Sequence, residues 1–360
     1  MSTFTPPHCP NPACPFHCPT PTWRFKKAGF FARLHCSPQT IQRYQCSHCR
    51  RSFSSQTFST TYWLHKPALQ PVIFHRILAC SGLRQIAHEL NVSHTTIMNH
   101  VARLGRHCLL FHHLKRPTPS EPLVLDGFES FEYSQYFPFH FHVLVGKDSH
   151  FFYLFSDSPL RRKGRMTAFQ QRRRAALEKQ LGRPDPTSIQ KQVAELLRLG
   201  VAERGPLSLY TDDHPAYPRA FRQVPGLKVE HHVTSSRERR TTRNPLFPVN
   251  LLDLLIRHGG ANHKRETIAF SKRRQAAVER LAILQVWRNY LKSFSERRQD
   301  PTPAQRLGLE QRKLSVKEVL AKRLFATRVG LPRLLKAYYR REISTAALEA
   351  NRLHELKYAF

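Results

Sequence analysis

The sequence is short of acidic residues, and its amino-terminal part has none. The first 88 residues contain neither Asp nor Glu, and the first carboxylate is that of Glu89. Over 360 residues, 58 Lys and Arg stand against 25 Asp and Glu, which gives a formal net charge of +33. An excess of cations favours a polyanionic partner, because each Lys or Arg that neutralises a phosphate releases counterions. We therefore expect the chain to bind nucleic acid.

Other absences narrow the class of protein further. No hydrophobic run approaches the ~18 apolar residues of a membrane helix, and the amino terminus lacks the basic-then-apolar order of a signal peptide. Gly-rich phosphate loops and internal repeats are also absent from the sequence. The eight Cys are therefore expected to be reduced, with metal ligands among them. This combination predicts a cytoplasmic, nucleoid-associated protein with no membrane partner.

Two short cysteine pairs lie in the acid-free segment. Cys9 and Cys14 form one pair, and Cys46 and Cys49 form the other. Four thiolates at this spacing can close a tetrahedron around Zn²⁺, and a Pro-rich segment with little core of its own would fold on the metal. We predict a zinc-binding domain over residues 1–60. The alternative zinc ligands in this segment are His17, Cys18, Cys36 and His48.

Residues 83–104 have the spacing of two short helices joined by a tight turn. Leu83, Ile86, Ala87 and Leu90 fall on one helix face, and Ser93 can cap the next helix. This pattern predicts a helix-turn-helix DNA-binding domain over residues 61–116, the alternative being a helical hairpin inside a larger core. The residues expected to project outward towards DNA are His94, Thr95, Asn99, His100 and Arg103. Two further cysteines, Cys80 and Cys108, fall in apolar stretches and are predicted to be core residues.

The middle of the chain places acids at the ends of apolar runs. The runs over 122–126 and 207–212 end in Asp126 and Asp212, and a predicted helix over 250–258 offers Asp253. Carboxylates that converge repel one another unless cations lie between them, and Mg²⁺ prefers such oxygen ligands. We therefore predict a two-metal magnesium site for phosphoryl transfer. Asn250 and Arg257 share the helix face of Asp253 and are expected to contact phosphate.

Three segments together resemble a known family. They are the run from Ile41 through Cys46 and Cys49 to Phe53, the run Tyr210-Thr-Asp212-Asp-His-Pro-Ala-Tyr217, and the run Arg265-Glu-Thr-Ile-Ala-Phe-Ser-Lys272. With the helix-turn-helix between the first two, they resemble bacterial insertion-sequence transposases of the small zinc-ribbon type. The resemblance covers roughly residues 9–290.

The resemblance implies an α/β fold, with a ribonuclease-H-like mixed-sheet catalytic domain after a zinc ribbon and a helix-turn-helix. The catalytic domain would span 117–262 with a basic helical insertion over 160–205, and a basic helical region would span 263–360. The family's Asp-Asp-Glu/Asp triad then falls on Asp126, Asp212 and Asp253. Asp253 stands where the family usually has Glu, and Glu266 and Glu238 are rivals for this place.

The implied activity is metal-dependent cleavage of DNA and transfer of the cut strand. The implied partners are double-stranded DNA, as the element's terminal repeats and the target, and further copies of the chain. Two alternatives remain from the sequence. One is a DNA-binding transcriptional regulator whose acids are structural, and the other is a metal-dependent nuclease without strand transfer.

Overall fold

The structure is a computed structural model that describes residues 4–33, 37–201, 206–264, 266–295, 297–349 and 353–354. The described residues form two β-sheets and twelve α-helices. The strands are β1 (Phe25–Ala32), β2 (Thr40–Cys46), β3 (Ser52–Ser54), β4 (Leu123–Phe131), β5 (Pro138–Gly146), β6 (Phe152–Pro159), β7 (Leu207–Asp212) and β8 (Val229–Thr234). The helices are α1 (Leu69–Leu78), α2 (Leu83–Glu89), α3 (His94–Lys115), α4 (Ala168–Leu181), α5 (Ser188–Val201), α6 (Ala216–Phe221), α7 (Phe247–Gly259), α8 (Arg274–Val286), α9 (Pro303–Arg306), α10 (Val316–Val319), α11 (Ala326–Val329) and α12 (Arg333–Arg340). Within these residues, no helix is both long and apolar enough to cross a membrane.

The amino-terminal sheet is small and antiparallel, in the order β1-β2-β3. Its core is mostly aromatic, with Tyr44 stacked on Phe53 at a centroid distance of 5.7 Å and Trp23 beside Phe53. Phe325, from the carboxyl-terminal part of the chain, completes this core. A core of this size gives limited hydrophobic stabilisation, so a bound metal would add to the stability of this sheet.

The second sheet is mixed, in the order β6-β5-β4-β7-β8. The pairs β4–β5 and β5–β6 are antiparallel, whereas β7 is parallel to both β4 and β8. Its strands include unbroken buried runs such as Leu123-Val124-Leu125 and Phe151–Phe155, which is the pattern of strands covered on both faces. The predicted apolar runs over 122–126 and 207–212 both lie in this sheet, so the α/β mixed-sheet prediction is confirmed.

Helices cover both faces of the mixed sheet. Helix α5 lies against the face that carries Leu144, which Gly200 approaches closely. Helix α7 lies on the opposite face, where the Arg257 guanidinium sits 5.6 Å from the centre of the Phe128 ring. Since side chains alternate along a strand, Asp126 shares the face of Phe128.

The predicted insertion over 160–205 consists of two different helices, and its last residues lie outside the described part. Helix α4 has no buried residue, as expected of a basic surface insertion. Helix α5 instead buries Val193, Ala194, Leu196 and Leu197 against the sheet. Helix α5 therefore belongs to the main core, because its apolar residues recur on one helix face, whereas α4 is a surface helix.

Helices α1, α2 and α3 form the unit predicted for residues 83–104, with Asn91 in a left-handed conformation between α2 and α3 (φ 48°). The Ser93 hydroxyl caps α3 and accepts a hydrogen bond from the Thr96 backbone N–H at 3.1 Å. The buried residues of these helices belong to the same hydrophobic core as the mixed sheet. The predicted boundary at residue 116 therefore does not correspond to a break in packing.

Helix α3 is long because its second half packs along α8. At Gly105, the backbone of α3 lies so close to Glu279 that an added Cβ would be 2.6 Å from the Glu279 carbonyl oxygen. Cys108, one turn later, is fully buried, as predicted, whereas Cys80 is only half-buried at the end of α1. The prediction for Cys80 is therefore wrong, because helix α1 ends before it and the chain turns there with a positive φ.

The carboxyl-terminal region is helical in short pieces. The amphipathic pattern over 263–295 becomes α8, which begins only at Arg274 and continues into a π-helical turn, Trp287–Leu291. Helices α9 to α11 cross back over the molecule to the amino-terminal sheet, where the Thr327 hydroxyl lies 2.8 Å from His17 Nε2. Helix α12 returns to the mixed sheet and stacks Tyr338 on Phe155 at 5.7 Å. The region therefore joins the two sheets.

The close contact at Gly105 predicts a sharp effect of one methyl group. Gly105→Ala should lower the free energy of unfolding by about 1–3 kcal/mol, because backbone atoms of Glu279 must move. Gly200→Ala is the matched control, since its Cβ would meet only the ends of two side chains, Leu144 at 3.1 Å and Leu154 at 3.5 Å. This substitution also gains helix propensity of roughly 1 kcal/mol. Urea unfolding of both variants measures the difference. Equal effects of the two substitutions would contradict the close helix contact.

Candidate functional site

The four predicted zinc ligands lie together. The sulfurs of Cys9, Cys14, Cys46 and Cys49 are all within 4.8 Å of one another, and those of Cys9 and Cys49 are 3.6 Å apart. A tetrahedral zinc site with Zn–S bonds of ~2.3 Å places its sulfurs ~3.8 Å apart. The turn that presents Cys46 and Cys49 closes with a hydrogen bond from the Arg50 N–H to the Cys46 carbonyl at 3.1 Å. The cluster is compatible with a zinc ribbon.

The surroundings of the cluster stabilise one thiolate in particular. Burial raises the pKa of Cys46, but hydrogen bonds from the Trp23 indole and from the backbone N–H groups of Cys49 and His48 outweigh it and lower this pKa to about 7. The indole nitrogen lies 3.3 Å from the Cys46 sulfur. Burial raises the pKa of Cys9, so that thiol needs a cation to ionise.

The alternative zinc ligands do not join the cluster where the structure describes them. His17 is engaged with the Cys9 carbonyl at 2.9 Å and with Thr327. Cys18 and His48 are exposed, and the His48 ring packs against Phe16. Cys36 lies outside the described residues. The four-cysteine set is therefore the one that the geometry favours.

The parallel pairing of β4 with β7 brings two of the predicted acids side by side. Leu123 pairs with Leu209 and Val124 with Tyr210, and two residues further along, the same register places Asp126 beside Asp212. The prediction that both strands end in an acid is wrong for Asp126, which is the fourth residue of β4. Strand β4 continues because its antiparallel pairing with β5 extends to Phe131.

Helix α7 adds the third predicted acid from above the sheet. Val249, Leu252 and Ile256 bury one side of this helix, which leaves Asp253 half-buried and turned towards the strands. The Asp253 Oδ1 atom is buried and has no hydrogen-bond partner in the described part of the chain. An unpaired carboxylate oxygen at this position is costly unless a proton or a cation accompanies it.

The charges of these acids act on one another. Burial, and after it the charge of Asp212, raises the pKa of Asp126 to about 6. Burial and the charge of Asp126 raise the pKa of Asp253 well above its usual value. The Gly127 N–H donates to Asp126 Oδ1 at 2.6 Å, and the His214 N–H donates to Asp212 Oδ1 at 3.0 Å. Backbone groups thus hold two of the carboxylates in place.

Two residues of the acidic cluster were missed from the sequence. Tyr217 on α6 is buried, and its hydroxyl donates a hydrogen bond to Asp126. Arg240, in the loop after β8, lowers the pKa values of Asp126 and Asp253 through its charge. Tyr217 belongs to the quoted Tyr210–Tyr217 run and Arg240 to a basic run, but neither pattern shows that these side chains face the acids.

The rivals for the third acid lie elsewhere. Glu266 is exposed and lines a different cleft with Glu129 and Lys264. Glu238 is exposed in the loop after β8. Of the three candidates, Asp253 is the one whose charge acts on Tyr217 together with those of Asp126 and Asp212. Arg265, at the start of the third quoted segment, is outside the described residues.

The predicted DNA-facing residues are only partly exposed. Thr95 and Asn99 are exposed on α3, and His94 is half-buried. His100 is buried, which contradicts its predicted outward position, because it falls on the packed side of the helix. Arg103 also does not project outward, since its guanidinium donates to the backbone carbonyls of Thr60 and Tyr62.

The two predicted phosphate contacts on α7 differ from each other. Asn250 is half-buried in the first turn of this helix. Arg257 donates instead to the carbonyls of His263 at 2.9 Å and Glu129 at 3.2 Å. These carbonyls take two donors of the Arg257 guanidinium and fix α7 to β4, and a contact of its remaining donors with phosphate stays a prediction.

Comparison with solved structures gives distant similarities, one of which is to a viral intasome. No family model matches the chain, and no curated protein matches it. A chain from the cryo-electron-microscopy structure of a simian T-cell lymphotropic virus intasome in complex with PP2A regulatory subunit B56 gamma is 17% identical, with a TM-score of 0.24. The match covers 53% of this chain and 55% of that chain. Since a TM-score of this size establishes no shared fold, function has to be argued from this chain's own geometry.

The cysteine cluster predicts a defined zinc content. The full-length protein should bind about one Zn²⁺ per chain, and Cys46→Ser should lose it because a hydroxyl is a poor replacement for a thiolate ligand. Cys18→Ser is the control, since Cys18 is exposed and outside the cluster. Metal analysis of the purified variants by mass spectrometry measures the result. A Cys46→Ser variant with wild-type zinc content would show that the metal, if any, is bound elsewhere.

Proposed function

We propose that this protein is a DNA transposase, which binds the ends of a mobile element and cleaves and transfers DNA strands. The observation that carries the proposal is the meeting of Asp126, Asp212 and Asp253 in a chain of net charge +33. The basic residues of such a chain suffice to bind phosphodiesters. DNA binding alone therefore does not explain why carboxylates cluster within it. Metal-dependent phosphoryl transfer supplies that reason.

The sheet topology supports a ribonuclease-H-like assignment for this proposal. Three antiparallel strands precede two parallel ones, and the first acid lies on the central strand β4. The second acid ends the neighbouring strand β7, and the third comes from the helix after β8. This is the order of acids that the resemblance to insertion-sequence transposases implies.

The three acids fit hard divalent cations such as Mg²⁺. Their donors are carboxylate oxygens, one of which, Asp253 Oδ1, is buried without a partner among the described residues. The charges of the three acids act on one another and on Tyr217, so their carboxylates face one region of the structure. A pair of ions about 4 Å apart, when bound there, would activate the attacking oxygen and stabilise the leaving one.

The chain's own residues would orient this chemistry. Gly127 and His214 hold one oxygen each of Asp126 and Asp212 through their N–H groups, and this leaves the other oxygens for the cations. The Tyr217 hydroxyl fixes the rotamer of Asp126 from the buried side. Arg240 is exposed beside the acids and is placed to contact the phosphodiester that approaches them.

The amino-terminal part of the chain supports DNA as the substrate. Its 88 acid-free residues include the zinc-compatible sheet, helix α1 and helix α2 up to the residue before Glu89. The exposed Thr95 and Asn99 lie near the beginning of α3, the part of a recognition helix that meets base edges in a helix-turn-helix. Binding to element ends by several copies of the chain belongs to the same proposal.

The acidic cluster predicts which substitutions abolish cleavage. Asp126→Asn, Asp212→Asn and Asp253→Asn should each reduce Mg²⁺-dependent nicking of supercoiled DNA by at least about 100-fold, because each removes a metal-ligating charge. DNA affinity in gel-shift assays should change little. Glu266→Gln and Asp148→Asn are controls with exposed acids outside the cluster. Undiminished nicking by Asp126→Asn or Asp212→Asn would refute the proposal. A wild-type protein that binds DNA but does not nick it would favour the DNA-binding transcriptional regulator.

The raised pKa of Asp126 predicts a pH-dependent stability without divalent cations. Its folded-state pKa of about 6 lies above its unfolded value, so the cost of the buried charge grows as the pH rises from about 4 and is fully present above about 6. Asp126→Asn should therefore raise the free energy of unfolding at pH 7.5, by up to about 3 kcal/mol for a shift of about two units. The gain should shrink as the pH falls through 6 and vanish below about pH 4. Urea unfolding across this range, with Asp148→Asn as control, tests it, and a gain independent of pH would refute the electrostatic cause.

A further inference from the structure

A second charged site lies away from the acidic cluster, between α3, the segment before α1 and the carboxyl-terminal region. It is a cavity of about 510 Å³ that opens beside the exposed Asn99. Arg103, Arg106, Arg323 and Arg341 line it, with Lys66 at its edge. No carboxylate is among its described lining residues.

The described residues supply few counter-charges for Arg103 and Arg106. Glu279 is the described carboxylate whose charge acts on Arg106, and it already pairs with Arg341 at 2.9 Å. Arg103 and Arg106 repel each other, and burial together with the charges of Arg323 and Arg106 lowers the pKa of Arg103 to about 10. Guanidinium groups keep their charge at neutral pH, so the convergence of Arg103 and Arg106 is unfavourable unless an anion enters.

The cavity is also built to hold such an anion in one place. Arg103 is fixed by the carbonyls of Thr60 and Tyr62, and the Arg323 guanidinium stacks 4.8 Å from the centre of the Tyr62 ring. Arginines held in this way present a rigid fork of donors that matches phosphate oxygens. His100 adds no repulsive charge at neutral pH, because burial lowers its pKa to about 4.

The position of the cavity indicates where the phosphate comes from. Thr96 and Asn99 line its mouth, and both belong to the first two turns of α3. The exposed Thr95 lies on the same part of this helix. A DNA groove that receives these turns would bring a backbone phosphate to the opening of the cavity.

We propose that this cavity binds a phosphate group, supplied by the DNA backbone where α3 meets the duplex. The DNA source rests on the proposed function, whereas the anion site itself does not. The alternative source of the same chemistry is a free phosphate such as pyrophosphate. Arg103 and Arg106 would hold the phosphate, Lys66 would contact it from the edge, and Asn99 would donate from α3.

The test uses full-length, zinc-loaded protein in buffer without Mg²⁺, so that it does not depend on cleavage. One arm measures the rise in melting temperature with pyrophosphate and no DNA. The other measures the affinity for a fluorescent duplex by anisotropy over a series of NaCl concentrations. The variants are Lys66→Gln and Asn99→Asp, both exposed at the edge of the cavity, and Arg106→Gln inside it. Lys317→Gln removes one exposed charge elsewhere and is the matched control.

We expect pyrophosphate to stabilise the wild type and Lys317→Gln, and to bind the three cavity variants about tenfold more weakly. The slope of log affinity against log salt should fall by about 0.9 in Lys66→Gln relative to Lys317→Gln. Weaker pyrophosphate binding with an unchanged slope would overturn the DNA source. Absence of stabilisation by pyrophosphate, or equal stabilisation of all variants, would overturn the anion site. If Arg106→Gln fails to fold, the two exposed variants decide.

Discussion

The parallel pairing of β4 with β7 is the constraint on which the acidic site depends. Leu123, Val124 and Leu209 are fully buried where the two strands meet, and a slip of one residue would turn each of them to the wrong face. Hydrophobic burial therefore fixes the register, and the register places Asp126 beside Asp212. The packing of the core thus brings two carboxylates together, and their repulsion lowers the stability of the fold. A sequence determined by stability alone would not place both acids here.

The protein concentrates charge of both signs in separate places. Around Asp126 the acids are opposed by Arg240 and Arg257, but burial still raises the pKa of Asp126 and Asp253. Around Arg103 the situation is reversed, since several guanidiniums converge and Glu279 is the described carboxylate whose charge acts on Arg106. A divalent cation would relieve the repulsion in the first cluster, and a phosphate would relieve it in the second. Both ligands would stabilise the chain, because ligands that bind only the folded state favour it.

The sequence predicted the parts of the fold that have a local signature. Paired cysteines, apolar runs that contain an acid, and the Leu83–Leu90 spacing need only neighbouring residues to be recognised. The orientation of Arg103 and Arg257 could not be predicted, because each bonds to carbonyls far away in the sequence. The length of β4 was also missed, since it depends on pairing with β5 rather than on its own residues.

The same reasoning explains why Tyr217 and α5 were misjudged. Tyr217 is five residues after Asp212, yet only the path of α6 brings its hydroxyl to Asp126. Helix α5 follows an exposed basic helix, and the basic composition of the whole segment obscures the apolar face of α5 in the sequence. In both cases tertiary packing decides what a local pattern leaves open. The position of the third acid is only partly predictable. Helical spacing puts Asp253 on one face with Arg257, but it does not show which face meets the sheet.

Helix α3 links the turns that are proposed to bind DNA to the sheet that carries the acids. Its 22 residues span about 33 Å, from Thr95 at the exposed end to His112, whose Nε2 donates to the Tyr153 carbonyl at 2.8 Å. Gln285, near the end of α8, donates to the neighbouring Phe152 carbonyl at 3.1 Å. Because α3 and α8 are in backbone contact at Gly105, a tilt of the first turns of α3 would move the edge strand β6. DNA docked on α3 would therefore be held at a fixed distance and angle from the sheet that carries the acids, without any hinge between recognition and chemistry.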